Sequence, residues 1–328
     1  MTEEQQASVN ENPGDIKKTI SIAILLCGNP SESTVSKFGS YDIMFRNLFT
    51  EALATIPRYE WHPKISLYLR SFNVVLGEFP EVSELDDGVW DAVLVTGTPE
   101  SCTQENVLWM DVLRKYLVHV TTVHPLVRII GICFGHQLIA QAFGAQVVQD
   151  KAKAELGVLP FDLTSEGTKL LSPFDQKTTW RLEQLHEDAV TDMPKPVDGD
   201  AWELIGSSEK AKIQGLALRY PTEAPPLPSA VKTSSYIAFD VDDSTTSASG
   251  PLPIRNLHVI TLQGHPEFNT AVTENELTAL HNGQVLDETT FAGAFGRASE
   301  EQDGLETARM LLAMLGVEPA LAQEEIAL

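Results

Sequence analysis

A cysteine with a glycine two positions away on each side, Gly131-Ile132-Cys133-Phe134-Gly135, joins an apolar run, PLVRII, to a helical pattern, HQLIAQAFG. G-x-C-x-G between a strand and a helix is the nucleophile elbow with Cys in place of Ser. The turn is so tight that the central residue is pushed into a strained backbone conformation, and Gly131 and Gly135 keep its neighbours from clashing. The positive end of the following helix favours thiolate over thiol. The backbone N–H of Phe134 is placed to donate to a developing oxyanion. The alternative is a small core residue closing a buried strand, a common place for a free cysteine. A glycine on both sides argues against it, because a plain strand-to-helix connection needs only one.

A nucleophilic cysteine needs a base, and the base needs an orienting group. Of eight histidines, His265 is best placed. It follows the apolar run HVITLQ and Gly264, so it stands in a loop at a strand's end, and Pro266 stiffens the link to Glu267. The order Cys…His-x-Glu suits an imidazole that takes the thiol proton while Glu267 orients and polarises it. A turn histidine or a zinc ligand is the alternative. No further His/Cys/Asp cluster with metal spacing is found, so no metal is expected. No P-loop G-x-x-x-x-G-K-[ST] is found either.

The elements that would hold these groups follow from the hydrophobic pattern. TISIAILLC (19–27), DAVLVTGTPES (91–101, running into a loop), PLVRIIGIC (125–133) and HVITLQ (258–263) begin with or form short, nearly continuous apolar runs, as buried strands are. KISLYLRSFNVV contains another strand. Helical spacing marks 40–56 (Ile43, Met44, Leu48, Phe49, Leu53, with Ser40 or Asp42 as cap) and 105–120; the segment HQLIAQAFGAQVV begins a further helix. Two more helices are predicted near 271–283 and 301–315, the second closed by Gly316. The fold class is therefore α/β, a mostly parallel central sheet with helices on both faces. After residue 150, LGVLPFDL, WRLEQLHEDAV, ELIGSS and IQGLALRY read as added antiparallel or edge strands of the same sheet.

Gly131–Gln137 together with Gly264-His265-Pro266-Glu267 resembles the class I glutamine amidotransferase-like family, over about residues 20–270 apart from an insertion. The resemblance implies a flavodoxin-like arrangement and a Cys133/His265/Glu267 triad that opens a γ-glutamyl amide through a glutamyl-thioester, with no cofactor. V-T-G-T-P-E-S (95–101) is similar to the family's oxyanion loop, with Gly97 at the glycine position and Thr98 as N–H donor; an ordinary βα turn is the alternative. By the same resemblance Gln137 contacts the glutamyl portion of substrate, unless it is a solvent-facing residue of the helix's first turn. His186, in Leu185-His-Glu-Asp-Ala-Val190, is a substrate or supporting residue or else a structural histidine. The closest pattern is that of standalone fungal and plant members resembling γ-glutamyl peptidases. Expected partners are a small γ-glutamyl substrate and, if the chain is a glutaminase subunit, a separate synthetase that receives ammonia. A non-catalytic binding protein on the same fold is a third reading.

The chain has 328 residues, 46 of them Asp or Glu against 23 Lys or Arg, for a formal net charge of −23. Such a body repels phosphate backbones and anionic bilayers, so neither nucleic acid nor membrane is an expected partner. No apolar run approaches the ~20 residues of a membrane span. Three cysteines and a polar start without a hydrophobic stretch point to a reducing compartment, with the cytosol as the expectation and a nuclear location open. Residues 1–18 read as a disordered tail, 19–316 as a single domain, 317–328 as a C-terminal tail. The stretch 221–254, rich in Pro, Ser and Thr, reads as a long insertion, partly disordered.

Overall fold

The computed structural model describes residues 17–58, 62–171, 176–228 and 253–317. Strand β1 (Lys17–Leu26) lies between β2 (Lys64–Asn73) and β3 (Ala92–Val95), parallel to both. Strands β4 (Arg128–Ile132) and β11 (Leu257–Leu262) extend the parallel half beyond β3. Beyond β11 the direction alternates: β10 (Gly215–Arg219), β9 (Glu203–Ser207), β6 (Glu155–Leu163) and β7 (Thr179–His186) are antiparallel neighbours in that order. The nine strands form one sheet, so the parallel centre and its antiparallel wing stand as the sequence pattern predicts.

The apolar runs become strands because both faces are covered. Along β1, Ile20, Ile22 and Ile24 enter one core layer and Ala23 and Leu25 the other. All residues of β3 and β4 are buried. On the first face lie α2 (Tyr41–Thr55) and α9 (Gly304–Met314); on the second lie α4 (Leu108–Val123) and α5 (Phe134–Ala142). Each large apolar side chain buried this way contributes about 1.5–3 kcal/mol relative to exposure. Gly316, at φ 75°, ends α9 with Val317 N–H bonded back to Leu312, the expected close.

Several boundaries differ from expectation. Lys17 and Lys18, placed with the tail, begin β1. In α2 the buried face is Tyr41, Met44, Phe45, Leu48, Phe49 and Ala52, while Ile43 is exposed. Ser40 occupies the cap position without capping, because its hydroxyl bonds the Asp42 carboxylate instead. The helix expected to run on past Phe143 stops there. Gly144 turns at φ 87°, and Val147–Gln149 forms β5. β5 pairs with β8 (Asp188–Val190) in a separate two-stranded sheet, so the segment 180–190 splits at Glu187 instead of lying wholly in the main sheet.

Short helices α1 (Glu32–Phe38), α3 (Val82–Asp86) and α6 (Ser165–Leu171) fill connections. Helix α7 (Thr270–Asn282) was expected; α8 (Glu288–Arg297) was not. Two glycines lower its intrinsic preference for helix. Asp287 caps it through Thr290 N–H, and Ala294 packs against Leu156 and Leu277. Residues 1–16, 229–252 and 318–328 of the expected tails and insertion lie outside the described residues. Among the described residues no helix is long and apolar enough to cross a membrane.

Candidate active site

Cys133 follows the last residue of β4 and caps α5, at φ 52° and ψ −105°. Its neighbours explain why the chain tolerates this. A Cβ on Gly135 would meet the Val95 carbonyl oxygen at 2.4 Å, and one on Gly131 would meet Gly135 backbone atoms at 2.9 Å. Neither backbone group can swing aside, so both glycines are required by close approach. The Cys133 N–H is tied to the Leu262 carbonyl at 2.8 Å, which locks the elbow to the end of β11. The thiol therefore sits at the carboxyl ends of β4 and β11, where open α/β sheets present ligand sites. Phe134, the first residue of α5, has no intrahelical acceptor for its N–H.

His265 reaches the same place from β11. Its N–H donates to the Glu183 carbonyl at 2.8 Å, in an isolated antiparallel bridge between the two residues. Its Nδ1 lies 2.8 Å from Glu267 Oε1, and both residues are buried. Phe268 stacks on the imidazole at 4.3 Å between ring centroids, and Tyr41 lies beyond at 6.4 Å. Burial works against the imidazolium. The charges of Cys133 and Glu267 outweigh it, and His265 is held well above the usual histidine pKa. With Nδ1 engaged by Glu267, Nε2 is the nitrogen left for the thiol.

Gly97 is close-packed in the same space: a Cβ there would meet His265 Cε1 at 2.9 Å and the Tyr41 hydroxyl at 3.4 Å. Thr98 next to it is half-buried, its hydroxyl accepting from Glu100 N–H. The structure thus brings Cys133, His265, Glu267, Gly97 and Phe134 to one locus.

The two remaining residues are drawn inward. Gln137 is buried, and its Nε2 donates to the Asp188 carbonyl and to Gln263 Oε1, each at 3.1 Å. It is not a solvent-facing first-turn residue. His186 Nδ1 donates to the Asp188 carbonyl at 2.9 Å, and Nε2 lies 3.1 Å from Glu155 Oε2. This is the setting of an internal histidine.

Three residues were missed by sequence reasoning. Gln263 directs Nε2 at Cys133 Sγ, 3.7 Å away, and Gln137 holds it there; its place one step before Gly264-His265 was the available signal. Tyr41 has its phenol pushed well above the ordinary range by burial and by the charges of Cys133 and Glu267, so it stays a hydroxyl donor. Glu183 is the bridge partner of His265. Cys102, whose role the sequence left open, points its thiol at Gln137 Oε1. Burial, with Asp188 beside it, pushes that thiol up and keeps it protonated. Among the described residues no group of three or more His, Cys, Asp or Glu is arranged to hold a metal ion.

Residues 69–220 match the family model described as glutamine amidotransferase class-I. That match includes Cys133 and Gly97 and ends before His265. A glutamine amidotransferase-like protein of Schizosaccharomyces pombe is 25% identical over 287 residues, 86% of this chain and 93% of its own length. Gamma-glutamyl peptidase 2 of Arabidopsis thaliana is 22% identical over 218 residues, 66% of this chain and 68% of its own length. A solved glutamine amidotransferase from Thermotoga maritima superposes with a TM-score of 0.56 at 16% identity, covering 91% of this chain and 99% of that one; the likeness is one of fold. Residues 69–220 thus carry the match to a class-I glutamine amidotransferase domain.

Proposed function

Taking that domain as the premise, we propose that the chain is a cysteine-dependent hydrolase that opens a γ-glutamyl amide, with a γ-glutamyl peptide or conjugate as substrate class. The observation that carries this reading is the buried 2.8 Å contact of His265 with Glu267, set beside a cysteine held at positive φ between two close-packed glycines. The likeness to a γ-glutamyl peptidase over two thirds of both chains supports the peptide as substrate class.

In this mechanism His265 holds the proton of Cys133 as an imidazolium, consistent with its upward pKa shift. The thiolate attacks the γ-carbonyl carbon. The oxyanion is met by the N–H of Phe134 and by the Gly97-Thr98 loop. As the tetrahedral species collapses, the C–N bond breaks and Nε2 of His265 protonates the leaving amine. Water, deprotonated by the same imidazole, attacks the glutamyl-thioester. Glutamate leaves, and the proton returns to the thiolate–imidazolium pair. Glu267 keeps the ring in one tautomer and orientation through both steps, and Gln263 steadies the sulfur.

The test is glutamate release by the purified chain from glutamine, glutathione and a glutathione S-conjugate, side by side. Release from the peptides is expected to exceed that from glutamine and to vanish in Cys133→Ala without loss of fold. Unchanged release in that variant overturns the reading. Release from glutamine alone, rising when a cell extract is added, would instead mark a subunit that hands ammonia to a separate synthetase.

A further inference from the structure

Strand β7 presents apolar residues where its faces meet the core: Trp180 and Leu182 on one side, Leu185 on the other. Glu183 breaks this pattern. It is fully buried, and neither carboxyl oxygen has a hydrogen-bond partner among the described residues. Its cross-strand neighbour in β6 is Val158, which offers nothing polar. An unbonded buried carboxyl costs free energy that an apolar side chain of similar size would not. The position that carries this cost is the one bridged to His265.

We propose that Glu183 is a positioning residue for the His265 imidazole: a second carboxyl, beside Glu267, whose ionisation strengthens His265 as its imidazolium. The inference rests on reading Cys133 and His265 as the reacting pair.

The geometry is that of an antiparallel bridge. Residues directly opposite one another project their side chains to the same face, with Cβ atoms about 4.5–5.5 Å apart. Glu183 and His265 are such a pair, joined by the His265 N–H bond to the Glu183 carbonyl at 2.8 Å. The imidazole is thus flanked by Glu267, which bonds Nδ1 directly, and by Glu183, which acts through space. The other groups facing Glu183 are Thr273 and Glu274 of α7. The Thr273 hydroxyl has no bond of ordinary geometry to it. Glu274, a like charge, opposes ionisation, and His265 favours it.

Burial pushes Glu183 up to about 7, against the pull of Thr273 and His265. Glu183 therefore changes charge across neutrality. Below that range it is a neutral acid, and His265 has Glu267 alone as a paired carboxylate. Above it, a second negative charge favours the imidazolium, the form that protonates the leaving amine. The direct pair fixes the ring; the through-space carboxyl tunes how tightly the ring keeps its proton.

The experiment follows the His265 ring by NMR in the full-length chain labelled at histidine, from pH 5 to 9, assigned by loss of its signal in His265→Gln. In the wild type the His265 shift is expected to carry an inflection near pH 7 in addition to its own titration. In Glu183→Gln that inflection disappears, and the His265 midpoint falls, the direction expected on losing a nearby opposite charge. Glu183→Asp retains the inflection. Repeating the pair in Cys133→Ala removes the thiolate and leaves the carboxylate effect alone. An unchanged His265 titration in Glu183→Gln overturns the proposal, as does an inflection that survives the substitution. The ring titration is read without substrate, so it stands or falls apart from whether the chain releases glutamate.

Discussion

The pair His265–Glu267 and the pair His186–Glu155 are alike in chemistry and different in setting. Each places a buried imidazole about 3 Å from a buried carboxylate. Glu155 also accepts from Ser208 and Gln214, and His186 turns its other nitrogen to the Asp188 carbonyl. Most of the polar groups there are held by a neighbour. At His265 the carboxylate takes Nδ1, and the rest of the ring faces a cysteine at positive φ, the close-packed Gly97 and an aromatic stack. On the proposed function, the His265 pair is the one whose ring stays open toward Cys133, while the His186 pair is closed in by its own partners.

Three measurements would break or sharpen this contrast. The largest effect is expected from His265→Gln, which should lower kcat/KM for glutamate release per folded molecule by about 10³-fold or more. Next, His186→Gln should do the reverse: activity per folded molecule within a few-fold of wild type, but stability lower by about 3–5 kcal/mol in urea unfolding, the cost of stranding a buried charge. Loss of activity without loss of stability in that variant would merge the two pairs into one site. The smallest effect is in pH. Glu155 is held below its ordinary 4.5 because His186, Ser208 and Gln214 outweigh burial. A depressed carboxylate contributes stability that is present above the ordinary value and lost as pH falls through the folded one. Glu155→Gln should therefore flatten the decline in melting temperature below about pH 4.5, measured by circular dichroism.

What was legible in the sequence shares one property: it is local. Cys133 with its two glycines, His265 with Glu267, and the apolar runs of β1, β3, β4 and β11 are each defined by neighbours along the chain. The residues missed are defined across it. Gln263 matters because β11 ends beside β4, and Glu183 because β7 bridges to the loop after β11. No spacing rule joins positions 183 and 265. Gln137 and His186 were read from motif position, which says where a residue stands but not which way its amide or ring is turned. Helix α8 was hidden because packing of Ala294 against Leu156 and Leu277 supports a segment whose glycines argue otherwise.

The connection between β10 and β11 has a use in protein engineering. Arg219 pairs with Leu257, whereas the elbow is tied to Leu262 at the other end of the same strand. Leu257 and Leu262 stand roughly 17 Å apart along the strand, so the Arg219–Leu257 pair lies at the end of the sheet away from Cys133. Pro228, at one root, packs beside Gly88, ahead of β3. A reporter or affinity tag joined between Pro228 and residue 253 would be anchored at the end of the sheet opposite the thiol.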